Sequence, residues 1–225
     1  MIDCISVENM RLSDAYTIEN FVPSLTLMYR AAWGVYLAHK WVSPVSIVVG
    51  SGNNGGDGYA LACILKEKNI DCRIFTLSSN LTKDSAYYAG KAHELMIPIS
   101  PFVPGCLQGS AIVVDCLLGT GFQGKVRECY RTAIEEINGA GAYVVSVDIN
   151  SGMNGDTGEC EIAVHSDLTV TIGFVKKGLI SVNAGKFMKR LVCVNIGILL
   201  AKEEEKITQE TCPSWLDMNI IDAIV

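Results

Sequence analysis

The sequence is poor in the residues on which many enzyme mechanisms depend. Among 225 residues there are three histidines, His39, His93 and His165, and none lies in a glycine-rich stretch. Ser51 has no histidine–aspartate pair within reach of its loop, so a serine or cysteine nucleophile is poorly supported. There are nine cysteines but no Cys-x-x-Cys spacing. Most sit in apolar runs, as Cys63, Cys116 and Cys193 do, which fits small buried hydrophobes better than a disulfide framework or a zinc site. No apolar run approaches the roughly 20 residues that cross a bilayer. No basic face is visible against a net charge of −6, which argues against general nucleic-acid binding. Asp3 and Glu8 stand where a leader would be basic and then apolar, so the expected compartment is reducing, most simply the cytoplasm. Only 19% of residues are charged against 49% hydrophobic, which excludes disorder.

What is present is alternation. Helical spacing runs over Val7–Glu19, with Val7, Met10, Ala15 and Ile18 on one face, and again from Ser24, a candidate N-cap, to about Lys40. This second helix and its end carry Leu27, Met28, Tyr29, Trp33, Tyr36 and Trp41, more apolar surface than one sheet covers, which predicts a homodimer contact. Short β-branched runs follow at Val45–Val49, Cys72–Leu77, Ala111–Asp115, Tyr143–Asp148, Leu168–Ile172 and Leu191–Val194, with Ile97–Ile99 as a short edge. Helical patterns over Tyr59–Lys68, Thr82–Leu95 and Val126–Asn138 separate the first of them. The order implies a largely parallel sheet with helices on both faces. No linker or repeat interrupts it, so the expectation is one domain over residues 1–225, a helical pair at about 7–40 and an α/β core at about 45–198. The last 25 residues are weakly patterned.

Three strands run directly into polar, glycine-rich loops: Gly50–Gly58, Cys116–Gly124 after Asp115, and Ile149–Gly158 after Asp148. In a parallel sheet these loops converge at the carboxyl edge, where ligands bind. The first loop has five glycines in nine residues and leads into a helix, which suits a diphosphate. It is neither a Walker A motif nor a dinucleotide fingerprint with an acidic residue after the second strand. Asp57 reads either as a ligand contact or as a helix cap, and Asn53 and Asn54 either as contacts or as turn formers. Asp115 and Asp148 end successive strands. With Asn54, Asn150 and Ser151 they offer hard oxygens and few carboxylates, which favours a cation of low charge over a transition metal.

The motifs Gly52-Asn53-Asn54-Gly55-Gly56-Asp57-Gly58, Val114-Asp115 with Gly119-Thr120-Gly121, and Val147-Asp148-Ile149 with Ser151-Gly152 and Asn154–Gly158 resemble the YjeF N-terminal domain, the NAD(P)H-hydrate epimerase family. Pro23-Ser24-Leu25-x-Leu27-Met28, Asp167–Ile172 and Lys176-x-Gly178 extend the resemblance over roughly Val7 to Ile198. It implies a three-layer α/β/α Rossmann-like sandwich, commonly dimeric. The implied activity interconverts the R and S forms of hydrated NADH and NADPH, with a separate NAD(P)H-hydrate dehydratase restoring the cofactor; the length leaves no room for that second enzyme. The same resemblance implies substrate contacts from Asn53, Asn54, Gly55, Gly56 and Asp57, from the loop Gly119, Thr120, Gly121, Phe122, Gln123, Gly124 and Lys125, and from Asp148, the catalytic candidate. It implies one potassium ion (K+) per subunit on Asn54, Asp115 and Ser151. Tyr29 stands where the family usually has an acidic residue. The alternative is a non-catalytic nucleotide-binding or scaffold module, since the same domain occurs in a scaffold that promotes messenger-RNA decapping.

Overall fold

The β-branched run Val45–Val49 forms a strand buried on both faces, as residues in the middle of a parallel sheet must be. The computed structural model describes all 225 residues, Met1–Val225. In chain order the elements are β1 (Ile2–Ile5), α1 (Val7–Asn20), α2 (Ser24–Leu37), β2 (Val45–Val49), α3 (Asn53–Glu67), β3 (Cys72–Thr76), α4 (Lys83–Glu94), β4 (Ile99–Pro101), β5 (Ile112–Cys116), α5 (Glu128–Gly139), β6 (Tyr143–Val147), β7 (Leu168–Ile172), β8 (Val175–Lys176), β9 (Leu191–Asn195), β10 (Glu205–Ile207) and β11 (Ile221–Asp222). Eight strands form one parallel sheet in the order β11-β9-β7-β6-β5-β2-β3-β4. From β2 the chain steps outward through β3 and β4, then returns to β5 on β2's other side. The strand order therefore reverses between β2 and β5, the place where such sheets bind ligands.

Alternate residues along each strand feed opposite cores. Ile47 and Val49 of β2, Val114 of β5 and Val145 of β6 join α2, α3 and α4 on one face. Val48, Val113 and Val144 meet Tyr130, Ala133, Ile134 and Ile137 of α5 on the other. This is a three-layer α/β/α sandwich. A second, small sheet in the order β10-β1-β8 lies beside it, and Ile2 and Cys4 pack there with Val175 and Leu179. No helix is long and apolar enough to cross a membrane.

Several expectations are corrected. The helix expected from Tyr59 begins at Asn53, so two-thirds of the supposed glycine loop is the first turns of α3. Ser24 is the first residue of α2 and Pro23 holds the cap position, without a side-chain cap bond; the helix stops at Leu37 rather than Lys40, and Leu37 is exposed. The buried face of α1 is polar, formed by Asn9, Ser13 and Thr17 beside Val7 and Met10, while Ile18 and Ala15 face outward. The reason is a hydrogen-bonded seam: Thr17 Oγ1 accepts from Leu199 N at 2.9 Å and Ser13 Oγ from Ala201 N at 2.9 Å. On and just after α2, Leu27, Met28 and Trp41 are buried, and Tyr29, Trp33 and Tyr36 pack partly buried against the same core. Much of the apolar surface of α2 is thus packed within the subunit, with Tyr29, Trp33 and Tyr36 left partly exposed. The weakly patterned C-terminal stretch supplies β10 and β11.

Candidate active site

The sheet order β6-β5-β2 brings all three polar segments to one edge, around a cavity of about 650 Å³. Its wall includes Asn53, Asn54 and Asp57 from the start of α3, Gly119, Thr120, Gly121, Phe122, Gln123 and Lys125 from the loop after β5, and Asp148 after β6. Gly55, Gly56 and Gly124 are not on the wall. A Cβ on Gly55 would stand 2.3 Å from Gly50 O, and one on Gly56 would stand 2.6 Å from Met28 Cε, so both glycines let α3 pack against its neighbours. Asn53 is tied to the next helix: Thr82, which caps α4, donates to Asn53 Oδ1 at 2.7 Å.

Asp148 leaves the end of β6 with φ +68°, in the left-handed region that side-chain-bearing residues rarely occupy. Its amide donates to Val170 O at 2.8 Å, so the sheet holds the strained residue in place. Its Oδ1 accepts from Lys176 Nζ at 2.5 Å, and its Oδ2 from Thr120 N at 3.4 Å. Lys176 is fully buried and also donates to Ile172 O at 2.7 Å and Thr171 Oγ1 at 3.1 Å. All three ammonium protons are therefore committed. Its backbone is fixed because Ile5 of β1 pairs with Lys176 of β8. From sequence Lys176 was legible only as part of a motif, and its place at the centre of the site was missed. So was Asp14, which reaches the same cavity from α1. Burial and the nearby Asp148 push the Asp14 carboxyl above its usual pKa.

Asp115 and Ser151 lie beneath this wall, fully buried. The Asp115 carboxylate accepts four hydrogen bonds: from Leu117 N at 3.2 Å, Ser146 Oγ at 2.9 Å, Ser151 N at 2.9 Å and Ser151 Oγ at 2.5 Å. Ser151 Oγ accepts in turn from Leu118 N at 2.9 Å. Asp115 thus knots the loops after β5 and β6 together. Burial raises its pKa, and the bonds from Ser151, Leu117 and Ser146 oppose that rise. Asn150 is turned away, its amide donating to Val164 O and Phe187 O. Asn54 differs from all of these. It is 8% exposed, and its Oδ1 and Nδ2 are the buried side-chain polar atoms that find no partner. An orphaned amide at the rim of a polar cavity is a group awaiting a ligand. Three of the sheet's loops, a strained aspartate on a buried lysine and an unpaired asparagine therefore meet at one opening.

A family model described as YjeF-related protein N-terminus matches residues 19–178. The chain belongs to this family. Among the family's curated members, the NAD(P)H-hydrate epimerase of Limosilactobacillus fermentum is 35% identical over 197 residues, covering 84% of this chain and 94% of the relative. The epimerase of Limosilactobacillus reuteri (strain ATCC 55730 / SD2112) is 36% identical over 196 residues, covering 81% and 89%. The bifunctional NAD(P)H-hydrate repair enzyme of Coxiella burnetii is 33% identical; there the match covers 84% of this chain and 40% of the relative, so this YjeF-related domain spans under half of that longer protein. The solved structure of yeast ynu0, YNL200c, has the same fold, with a TM-score of 0.75 at 19% identity over 85% of this chain and 88% of that one.

Proposed function

We propose that the chain is an NAD(P)H-hydrate epimerase, which interconverts the R and S forms of hydrated NADH and NADPH. The observation that carries the reading is the Asp148–Lys176 pair on the wall of a cavity at the β2/β5 reversal, in a chain whose full-length relatives bear that name. The opening of α3 presents backbone N–H groups and the positive helix end to the cavity, a natural seat for a diphosphate. The hydrate carries its hydroxyl on C6, next to the ring nitrogen. Nitrogen can stabilise the cation left when that hydroxyl departs, and water can return to the other face. Asp148 assists departure and return as an acid/base group, and its charge favours the cationic intermediate. Lys176 and the Thr120 amide fix the orientation of its carboxyl.

Potassium belongs to the same proposal. The donor set of Asn54, Asp115 and Ser151 is all oxygen with one carboxylate, and the unpartnered Asn54 Oδ1 suits a weakly charged cation. The ion would neutralise Asp115 and hold the glycine loops in shape. A homodimer and a separate dehydratase acting downstream complete the reading on the family resemblance, and a cytoplasmic setting on the nine free cysteines. The test is incubation of purified protein with the S hydrate, followed by chromatography. Conversion to the mixed epimers above the uncatalysed rate supports the reading; an unchanged S hydrate overturns it, and bound but unconverted hydrate favours the scaffold alternative.

A further inference from the structure

An epimerase has to handle both faces of one carbon, yet Asp148 approaches from one side. Asp57 lines the same cavity from a different element, α3. Sequence allowed Asp57 to be a helix cap, but α3 begins at Asn53 with Gly52 at the cap position, so Asp57 is the fifth helical residue and caps nothing. Its carboxyl reaches the cavity wall with no hydrogen bond and no ion pair. Lys176 has no proton to spare for it, having committed all three to Asp148, Thr171 and Ile172. Asp57 sits in the first turns of α3, which follows β2, Asp148 follows β6, and β5 runs between those two strands. The strands β2 and β6 themselves lie two spacings apart, roughly 9–10 Å, and both aspartates line the cavity at their carboxyl ends. Gly119 stands between Asn54 and Asp148: a Cβ there would be 3.2 Å from Asn54 Cβ and 3.3 Å from Asp148 Oδ2. The orphaned Asn54 amide opens onto the same space.

We propose that Asp57 is a second proton-transfer group of the epimerisation, serving the ring face opposite Asp148. This rests on the epimerase reading above. On one face Asp57 gives its carboxyl proton to the C6 hydroxyl. The C6–O bond breaks, its electrons leave with oxygen as water, and the ring nitrogen's lone pair forms the C6=N1 double bond. Water then adds to the other face of C6, the π electrons return to nitrogen, and the released proton passes to the Asp148 carboxylate. Nothing is oxidised or reduced. The reverse epimerisation exchanges the two carboxyls, and one proton relayed through water resets the pair.

The electrostatics suit a pair sharing one proton. Burial, then the charges of Asp148 and Asp14, push the Asp57 pKa well up, and Lys176 opposes them in part. Arg11, Lys125 and Arg127 also line the cavity, but none of them forms an ion pair with Asp57. Cys116 of β5 and Tyr88 of α4 are themselves held neutral by burial, Tyr88 with a pKa of about 12, and Asp84 adds a further carboxyl to the wall. Asp57 is therefore biased towards its protonated form, while Asp148 is ion-paired with Lys176.

The experiment measures kcat and KM from pH 5 to 9 on the hydrate for the wild type, Asp57→Asn and Asp57→Glu. Asp57→Asn is expected to lose about 10²–10⁴-fold in kcat with KM changed only a few-fold. Asp57→Glu is expected to recover part of the rate, and the wild-type rate to fall on the alkaline side. Wild-type kcat in Asp57→Asn, or a loss confined to KM, overturns the inference and leaves both faces to Asp148. Should the variants fail to fold, a wild-type rate flat through pH 9 overturns it. A wild type inactive on the hydrate overturns the epimerase reading itself, a distinguishable result.

Discussion

Asp148 is strained and ion-paired at once, and the two properties predict different mutational costs. At φ +68° asparagine is tolerated better than alanine, because its short polar side chain bonds locally. Asp148→Ala is expected to be less stable than Asp148→Asn by about 1 kcal/mol, read from urea midpoints; equal midpoints would show the backbone is not strained there. Both substitutions strand a buried ammonium, and breaking such a pair from one side costs about 3–5 kcal/mol. In a double-mutant cycle, Lys176→Met should therefore cost much less in the Asp148→Asn background than in the wild type; simple additivity would count against the pair. Asp57 predicts the opposite sign. Its folded pKa lies above its unfolded value, so the native state holds the extra proton, and stability falls as pH rises from about 4 towards the folded pKa. Asp57→Asn lacks that penalty. Its stability relative to the wild type is expected to grow with pH across that window, measured as thermal midpoints; a constant difference would contradict the assignment.

Among the elements, α1 and the small sheet act together. Ser6 caps α1, its Oγ accepting from Asn9 N, and Glu204 takes hydrogen bonds from the Ser6 amide and hydroxyl and an ion pair from Lys177 at 2.7 Å. The Lys177 ammonium first, then Ser6 and Asn9, lower the Glu204 pKa to about 2. A depressed carboxyl contributes stability that is full above its unfolded pKa and lost as pH falls through the folded one. Wild type and Glu204→Gln should thus differ at pH 6 and converge by about pH 2; a gap that persists in acid would exclude the ion pair as its source. This corner also shows what sequence could and could not disclose. The strands β2, β5, β6 and β7 were legible because strands buried on both faces are rich in apolar and β-branched residues, with the small Ser46 and Ser146 and the β-branched Thr169 and Thr171 as buried polar exceptions. Asp115 and Asp148 were legible because a carboxylate follows each apolar run directly, Asp115 as the fourth of five residues of β5 and Asp148 just after β6. The face of α1 was misread because Ser13 and Thr17 bury by bonding a segment nearly 190 residues away. Lys176 and Lys177 are adjacent and identical in sequence, yet one is fully buried and the other is not; only the pairing of β1 with β8 decides which. The start of α3 was placed late because glycine and asparagine weigh against a helix that tertiary packing nevertheless forms.

For the whole molecule, stability should be uneven. The eight-stranded sheet is buried between helical layers, whereas β1, β8 and β10 form a short satellite. Hydrogen exchange is expected to be slowest in β2, β5 and β6 and faster in the small sheet; equal protection would mean that the two open as one unit. The register joining Ile2 to Ile207 has a further consequence during synthesis. A ribosome adding roughly 5–20 residues per second releases β1 well before β10 exists. The nascent chain must carry an apolar, unpaired strand edge for roughly 10–40 s. Because β1 also pairs with β8, Lys176 is seated before β10 is made, so a chain cut short there would keep the anchored lysine beneath Asp148 and lack only the outer strands β10 and β11, leaving the far edge of β1 open.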